Sequence, residues 1–207
     1  MFRDREEAAQ RLADRLKAYR GKHPLILGIP RGAVPMAKVI ADQLNGDVDV
    51  VLVRKLRAPQ QPEFAIGSVD ESGWTYLADY ARAYAGSADY IEAEKQAQME
   101  TIRQRRAQYT PIRRSISPAG RIVIVIDDGL ATGATMISAL HGLRAMKPAK
   151  LVCAVPVAPP DTLAKVAELA DEVVCLEAPV FFQAVGQFYQ HFPQVDDEEV
   201  IKILQNA

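Results

Sequence analysis

One stretch constrains this chain more than any other: residues 121–138, RIVIVIDDGLATGATMIS. A short apolar run leads to two adjacent acids, Asp127 and Asp128, and a loop of small residues then opens a helix-like pattern. A run this apolar reads as a strand covered on both faces, which requires a sheet with helices packed on either side. In open α/β sheets, ligands bind where such a strand ends and its loop begins. Ala131, Thr132, Gly133, Ala134 and Thr135 offer successive backbone N–H groups, two hydroxyls and a helix N-terminus, a set suited to a phosphate dianion. Asp127 and Asp128 would repel that phosphate, so their expected partners are the hydroxyls of a ribose diol, or Mg²⁺ held through oxygen ligands. The same residues could serve only the fold, Asp128 as a helix cap and Gly133 as an easy turn, but paired acids before TGAT are rare enough to favour a ligand. The stretch fits neither GxxxxGK[ST] nor GxGxxG.

The remaining chain supplies the sheet that this strand needs. At 207 residues it has the length of one large domain or two small ones. Residues 4–19 repeat apolar positions at Ala8, Leu12, Leu16 and Tyr19, a helix that stops at Gly21. Residues 25–29 read as a short buried strand, PRGAVP as a turn into a helix ending at Leu44, and residues 48–53 as a second strand. RKLRAPQQPEF follows, and its two prolines predict a loop. Residues 64–69 and 74–77 flank Asp70-Glu71-Ser72-Gly73 as a hairpin, so 57–77 forms an inserted flap and hairpin. Residues 87–109 predict a long helix begun by Ser87, with too thin an apolar stripe for a central position, and so lying across an edge. Strands at 122–126, 151–157 and 173–176 then alternate with helices at 133–146 and 161–170. The expected fold is α/β: one domain over 1–207 with a Rossmann-like parallel sheet of about five strands, helices on both faces, and a small hood over 178–207.

Charge and residue usage exclude several function classes. Twenty-five Lys and Arg against 26 Asp and Glu leave a net charge of -1, so no broad basic coat for nucleic acid exists. The cluster Arg103, Arg105, Arg106, Arg113 and Arg114 reads as a solvated helix face. Cys153 and Cys175 lie in apolar runs as small buried hydrophobes, and His23, His141 and His191 lack the spacing of metal ligands. No apolar run reaches membrane-spanning length and the N-terminus lacks a signal-like apolar region, so a soluble, cytoplasmic protein without membrane partners is expected.

The stretch IVIDDGLATGAT resembles the signature of the type I phosphoribosyltransferases, an apolar strand, two acids and a T-G-x-[TS] loop that binds 5-phosphoribosyl 1-pyrophosphate (PRPP). The resemblance implies that Asp127 and Asp128 hold the ribose hydroxyls, with any metal held directly or indirectly, and that Ala131 to Thr135 wrap the 5′-phosphate. It places a pyrophosphate loop at Arg31, Gly32 and Ala33, where Gly32 permits close approach of backbone to ligand. Arg54 and Lys55, at the end of the second strand, are placed to meet pyrophosphate oxygens, though a solvated strand end would look the same. Arg31 and Lys55 join the two acids as the implied catalytic set. Residues 57–64 occupy the slot of a mobile flap, and RKLRAPQQPEFAIG with FFQAVGQFYQHF extends the resemblance, towards a less characterised branch, over nearly the whole chain.

In several members the hood contributes to the acceptor pocket. Among the aromatics of residues 181–192, Phe188 and Phe192 are four apart and read as the hood's own core, which leaves Val185, Gly186 and Tyr189 as acceptor candidates. Members acting on 6-oxopurines carry an acid at the position of Ala131; the A-T-G form is similar to adenine and uracil enzymes and leaves the base open. The activity implied is Mg²⁺-dependent transfer of the phosphoribosyl group to a small nitrogenous acceptor. A PRPP-sensing module without turnover is the alternative, and a homodimer is left open.

Overall fold

A computed structural model describes all 207 residues. Five parallel strands form the central sheet: β1 (Leu25–Gly28), β2 (Asp47–Val50), β6 (Ile122–Ile126), β7 (Lys150–Val157) and β8 (Glu172–Glu177), in the order β2-β1-β6-β7-β8. Alternation along the strands divides the core. Ile26, Ile124, Ile126, Val152 and Ala154 face one side, where α1 (Arg5–Arg15) and α2 (Ala33–Leu44) pack. Leu25, Leu27, Val123, Val125, Leu151, Cys153 and Val155 face the other, and α5 (Ala134–Ala145) and α6 (Pro160–Ala167) cover them. The expected α/β architecture is therefore present, with both faces buried as parallel strands require.

A second, antiparallel sheet comprises β3 (Val53–Ala58), β4 (Gln61–Asp70) and β5 (Thr75–Leu77). This differs from the expected loop over 54–64. The chain pairs Ala58 with Gln61 across a two-residue turn, and Arg57 next pairs with Ala65. Pro62 falls inside that register break, where a strand tolerates a residue with no N–H to donate. Val53, taken from sequence as the end of the second strand, opens this arm instead.

The predicted long helix is α4 (Ala88–Tyr109), and the Ser87 side chain accepts from the Tyr90 N–H as its cap. It packs on β3 and β4 rather than on the central sheet. Its buried seam is Glu94, Gln98, Ile102 and Tyr109, half of it polar, which is why its apolar stripe looked thin. Two helices were not read from sequence: α3 (Ala81–Ala85) and α7 (Asp197–Gln205). Together with α4 they enclose a third apolar cluster around Leu56, Ile66 and Val69 of the arm. No helix is long and apolar enough to cross a membrane.

Candidate functional site

Gly28 of β1 lies opposite Ile126 of β6, so these neighbouring strands end level and their loops leave side by side. One loop carries Pro30, Arg31 and Gly32; the other carries Asp127, Asp128 and the segment Ala131 to Thr135. Both face a cleft of about 750 Å³, within the range that holds small ligands. Arg54 and Lys55 from the arm and Val185 from the hood line the same cleft. The structure thus brings together residues that sequence placed at a phosphate loop, a paired-acid strand end and a pyrophosphate turn.

Local sequence accounts for the shape of both loops. Gly133 has a φ of 78°, and a Cβ there would lie 2.8 Å from the Thr162 methyl, so only glycine lets α5 begin against α6. The Thr162 hydroxyl donates to the Ala131 carbonyl at 2.8 Å, and Thr132 Oγ1 accepts from the Ala134 N–H at 3.4 Å. The first turn of α5 has no intrahelical acceptors for its N–H groups, which leaves donors at the cleft. At Gly32 a Cβ would run into the Asp128 carboxylate, so the two loops can approach only because that position is bare.

Electrostatics divide the cleft. Burial first, and the neighbouring Asp128 carboxylate second, push the Asp127 carboxyl well above the usual range. Burial also raises Asp128, opposed by Arg5. Arg5 Nε donates to Asp128 Oδ2 at 3.1 Å, and the guanidinium lies 3.9 Å from the Phe192 ring centroid. On the other side, burial and then the like charges of Arg105, Arg57 and Arg31 hold Arg54 below the usual arginine range. Arg54 Nε donates to Gln98 at 2.9 Å, Lys55 pairs with Glu63 at 3.2 Å, and the Arg31 guanidinium has no partner in the chain. Three cations with few counter-charges suit an oligophosphate; two carboxylates beside them suit hydroxyls.

Three of the sequence candidates stand apart. Ala33 begins α2 and its side chain is buried in the core. Gly186 packs against the Phe192 ring. Tyr189 lies behind Asp128: its hydroxyl donates to the Asp128 carbonyl at 2.6 Å, and its ring sits between Phe2 and Phe192 at 5.5 and 4.8 Å. As an acceptor-pocket residue Tyr189 is therefore replaced by a supporting one, because the hydroxyl is spent on backbone and the ring on core. Arg5, Gln98, Asp161 and Gln183 were not read from sequence. Asp161 follows the end of β7, so the strand-end rule that found Asp127 would have found it; Arg5 carries no local signal, since its partner is 123 residues away.

Comparison with solved structures identifies a protein of similar size and fold. The chain is similar to TT1426 from Thermus thermophilus, with 43% identity, a TM-score of 0.81, and coverage of 99% of this chain and 98% of that one. It shares its fold with the purine phosphoribosyltransferase from Pyrococcus horikoshii at a TM-score of 0.50 and 14% identity, covering 93% of each chain. Among curated relatives, "Putative phosphoribosyl transferase Rv0571c" of Mycobacterium tuberculosis is 42% identical over 208 residues, spanning 100% of this chain and 47% of that protein. The chain thus spans about half the length of the curated relatives it matches. The family model described as "Phosphoribosyl transferase domain" matches residues 3–190. The chain belongs to the phosphoribosyl transferase domain family.

Proposed function

We propose that this chain transfers the 5-phosphoribosyl group of PRPP to a ring nitrogen of a nucleobase-like acceptor and releases pyrophosphate. The observation that carries the reading is the level ending of β1 and β6, which sets the Arg31–Gly32 turn and the Asp127–Asp128 loop against one cleft. In this reading the N–H groups and hydroxyls of Ala131 to Thr135 hold the 5′-phosphate, and Asp127 and Asp128 accept from the ribose hydroxyls. Arg31, Arg54 and Lys55 receive the charge that develops on pyrophosphate as the bond from C1 to oxygen breaks. A sugar cation forms as that bond opens, and the arm bearing Lys55 and Phe64 would shield it from water.

Mg²⁺ fits this site only as a shared ion. No third carboxylate, histidine or cysteine joins Asp127 and Asp128, and Asp128 is already bonded to Arg5. Mg²⁺ binds through one or two carboxylates with phosphates and water completing its shell, so these acids would hold it with PRPP supplying other oxygens. When bound, it would neutralise charge on the leaving pyrophosphate. The free thiols of Cys153 and Cys175 fit a reducing compartment such as the cytoplasm.

The test is PRPP-dependent pyrophosphate release across a panel of free bases, with Asp128→Asn as the control. Release with one base, lost in the variant, supports transfer. Tight PRPP binding with no release from any base would select a PRPP-sensing module instead.

A further inference from the structure

The strand order sorts the cleft by charge. Arg31 follows β1 and Arg54 and Lys55 belong to the arm, so every cation lining the cleft lies on the β1 side of Asp127 and Asp128. The loops after β7 and β8 lie on the other side. They present the apolar side chains of Val180, Phe182 and Val185, and two polar side chains, Asp161 and Gln183. Both polar side chains are exposed, and neither has a hydrogen-bond or ion-pair partner within the chain. No lysine, arginine or histidine lines this side of the cleft, and Lys165, one turn along α6 from Asp161, lies outside it.

If the phosphates of PRPP occupy the cationic side and the phosphate loop, the acceptor faces this apolar wall. Joining an N–H nitrogen to C1 leaves a proton that must go somewhere. In that reading Asp127 and Asp128 face the ribose, and Glu63 is paired with Lys55 on the cationic side of the cleft. Asp161 is the remaining carboxylate in the cleft, and its neighbour Thr162 is tied to Ala131.

We propose that Asp161 is the proton acceptor of the transfer, and that the acceptor is an uncharged nitrogen heterocycle rather than a carboxylated one. The proposal rests on the phosphoribosyl transfer described above. As the N–C1 bond forms, the C1–O bond breaks and its electron pair leaves on pyrophosphate; the proton on the reacting nitrogen passes to the Asp161 carboxylate. Gln183 offers one donor and one acceptor to the edge of the ring. A carboxylated base would meet Asp161 with no cation lining that side of the cleft to balance it.

The experiment uses the full chain as wild type, Asp161→Asn and Asp161→Glu, with folding checked by melting. Each is titrated with PRPP and Mg²⁺. Each is then assayed for pyrophosphate release with adenine, guanine and uracil, and with the carboxylated bases orotate and nicotinate. The expected result is equal PRPP affinity in all three proteins and release with an uncharged base. That release falls about 10²–10⁴-fold in Asp161→Asn and is partly restored in Asp161→Glu. Release with a carboxylated base, or a wild-type rate in Asp161→Asn, would each overturn the assignment. Failure of wild type to bind PRPP, or PRPP binding with no release from any base, would overturn the transfer reading itself, so the two wild-type measurements show which of the two has failed.

Discussion

Replacing Arg5 with Met tests how the paired acids are kept in place. The Arg5 and Asp128 side chains are 12% and 17% exposed, and their nitrogen and oxygen lie 3.1 Å apart. Removing one partner of a buried pair costs about 3–5 kcal/mol; methionine keeps an apolar stem over Phe192, and the carboxyl can take up a proton, so the low end, about 3 kcal/mol, is expected. At about 2–4 °C per kcal/mol for a chain of this length, the melting temperature falls by about 6–12 °C. The comparison that isolates the pair is a cycle with Asp128→Asn, measured by urea and thermal unfolding at neutral pH. In the asparagine background Arg5→Met should cost only about 1 kcal/mol, a coupling of about 2 kcal/mol. Additivity within about 0.5 kcal/mol would show that Arg5 acts only through Phe192 and through the Pro193 carbonyl, to which its Nη1 donates at 2.5 Å, and that it does not hold the acids in place.

Three further outcomes follow from particular contacts. Gly32→Ala drives a methyl group into the Asp128 carboxylate, so it should destabilise by about 1–3 kcal/mol and weaken PRPP binding; unchanged PRPP affinity on calorimetric titration would place the turn away from ligand. Glu94 accepts from Arg57 Nε and from Gln98, at 2.8 Å each. Glu94→Ala should therefore loosen the arm and speed tryptic cleavage after Arg57, and equal cleavage rates would show that α4 does not hold it. The raised Asp127 carboxyl means that the folded state holds this proton more tightly than the unfolded one, so stability drops as pH rises from the ordinary carboxylate range towards the raised value. Asp127→Asn should flatten that drop and melt higher at neutral pH, whereas parallel pH curves for the two proteins would refute it.

The central sheet was legible because its inner strands β1, β6 and β7 are almost continuously apolar and alternate with helix-like segments, signals that survive without tertiary context. That the paired acids and the TGAT turn would meet at a strand end facing a cleft was legible for a related reason: both lie within residues 127–135. The arm was misread because Pro62 ordinarily excludes a strand, and only the register break that receives it shows otherwise. α7 was missed although Asp196 caps it and Asp197, Glu198 and Glu199 fill its first turn, signals the chain does display. Tyr189 and Arg5 could not have been placed, since both are defined by the packing of the N-terminal segment on the hood: the Phe2 N–H donates to Phe188 and the Gln190 N–H to Phe2. Pairings across that much chain leave no periodicity to read.

The cleft is proposed to hold PRPP through the two loops at the ends of β1 and β6. Isothermal titration of PRPP with Mg²⁺ into wild type, Asp128→Asn and Thr135→Val tests this without any knowledge of the acceptor. Saturable binding to wild type is predicted. Each variant should bind about 10–100-fold more weakly, the loss of one charge-assisted or phosphate hydrogen bond worth about 1.5–3 kcal/mol. No heat of binding in wild type, or equal affinity in all three folded proteins, would contradict it.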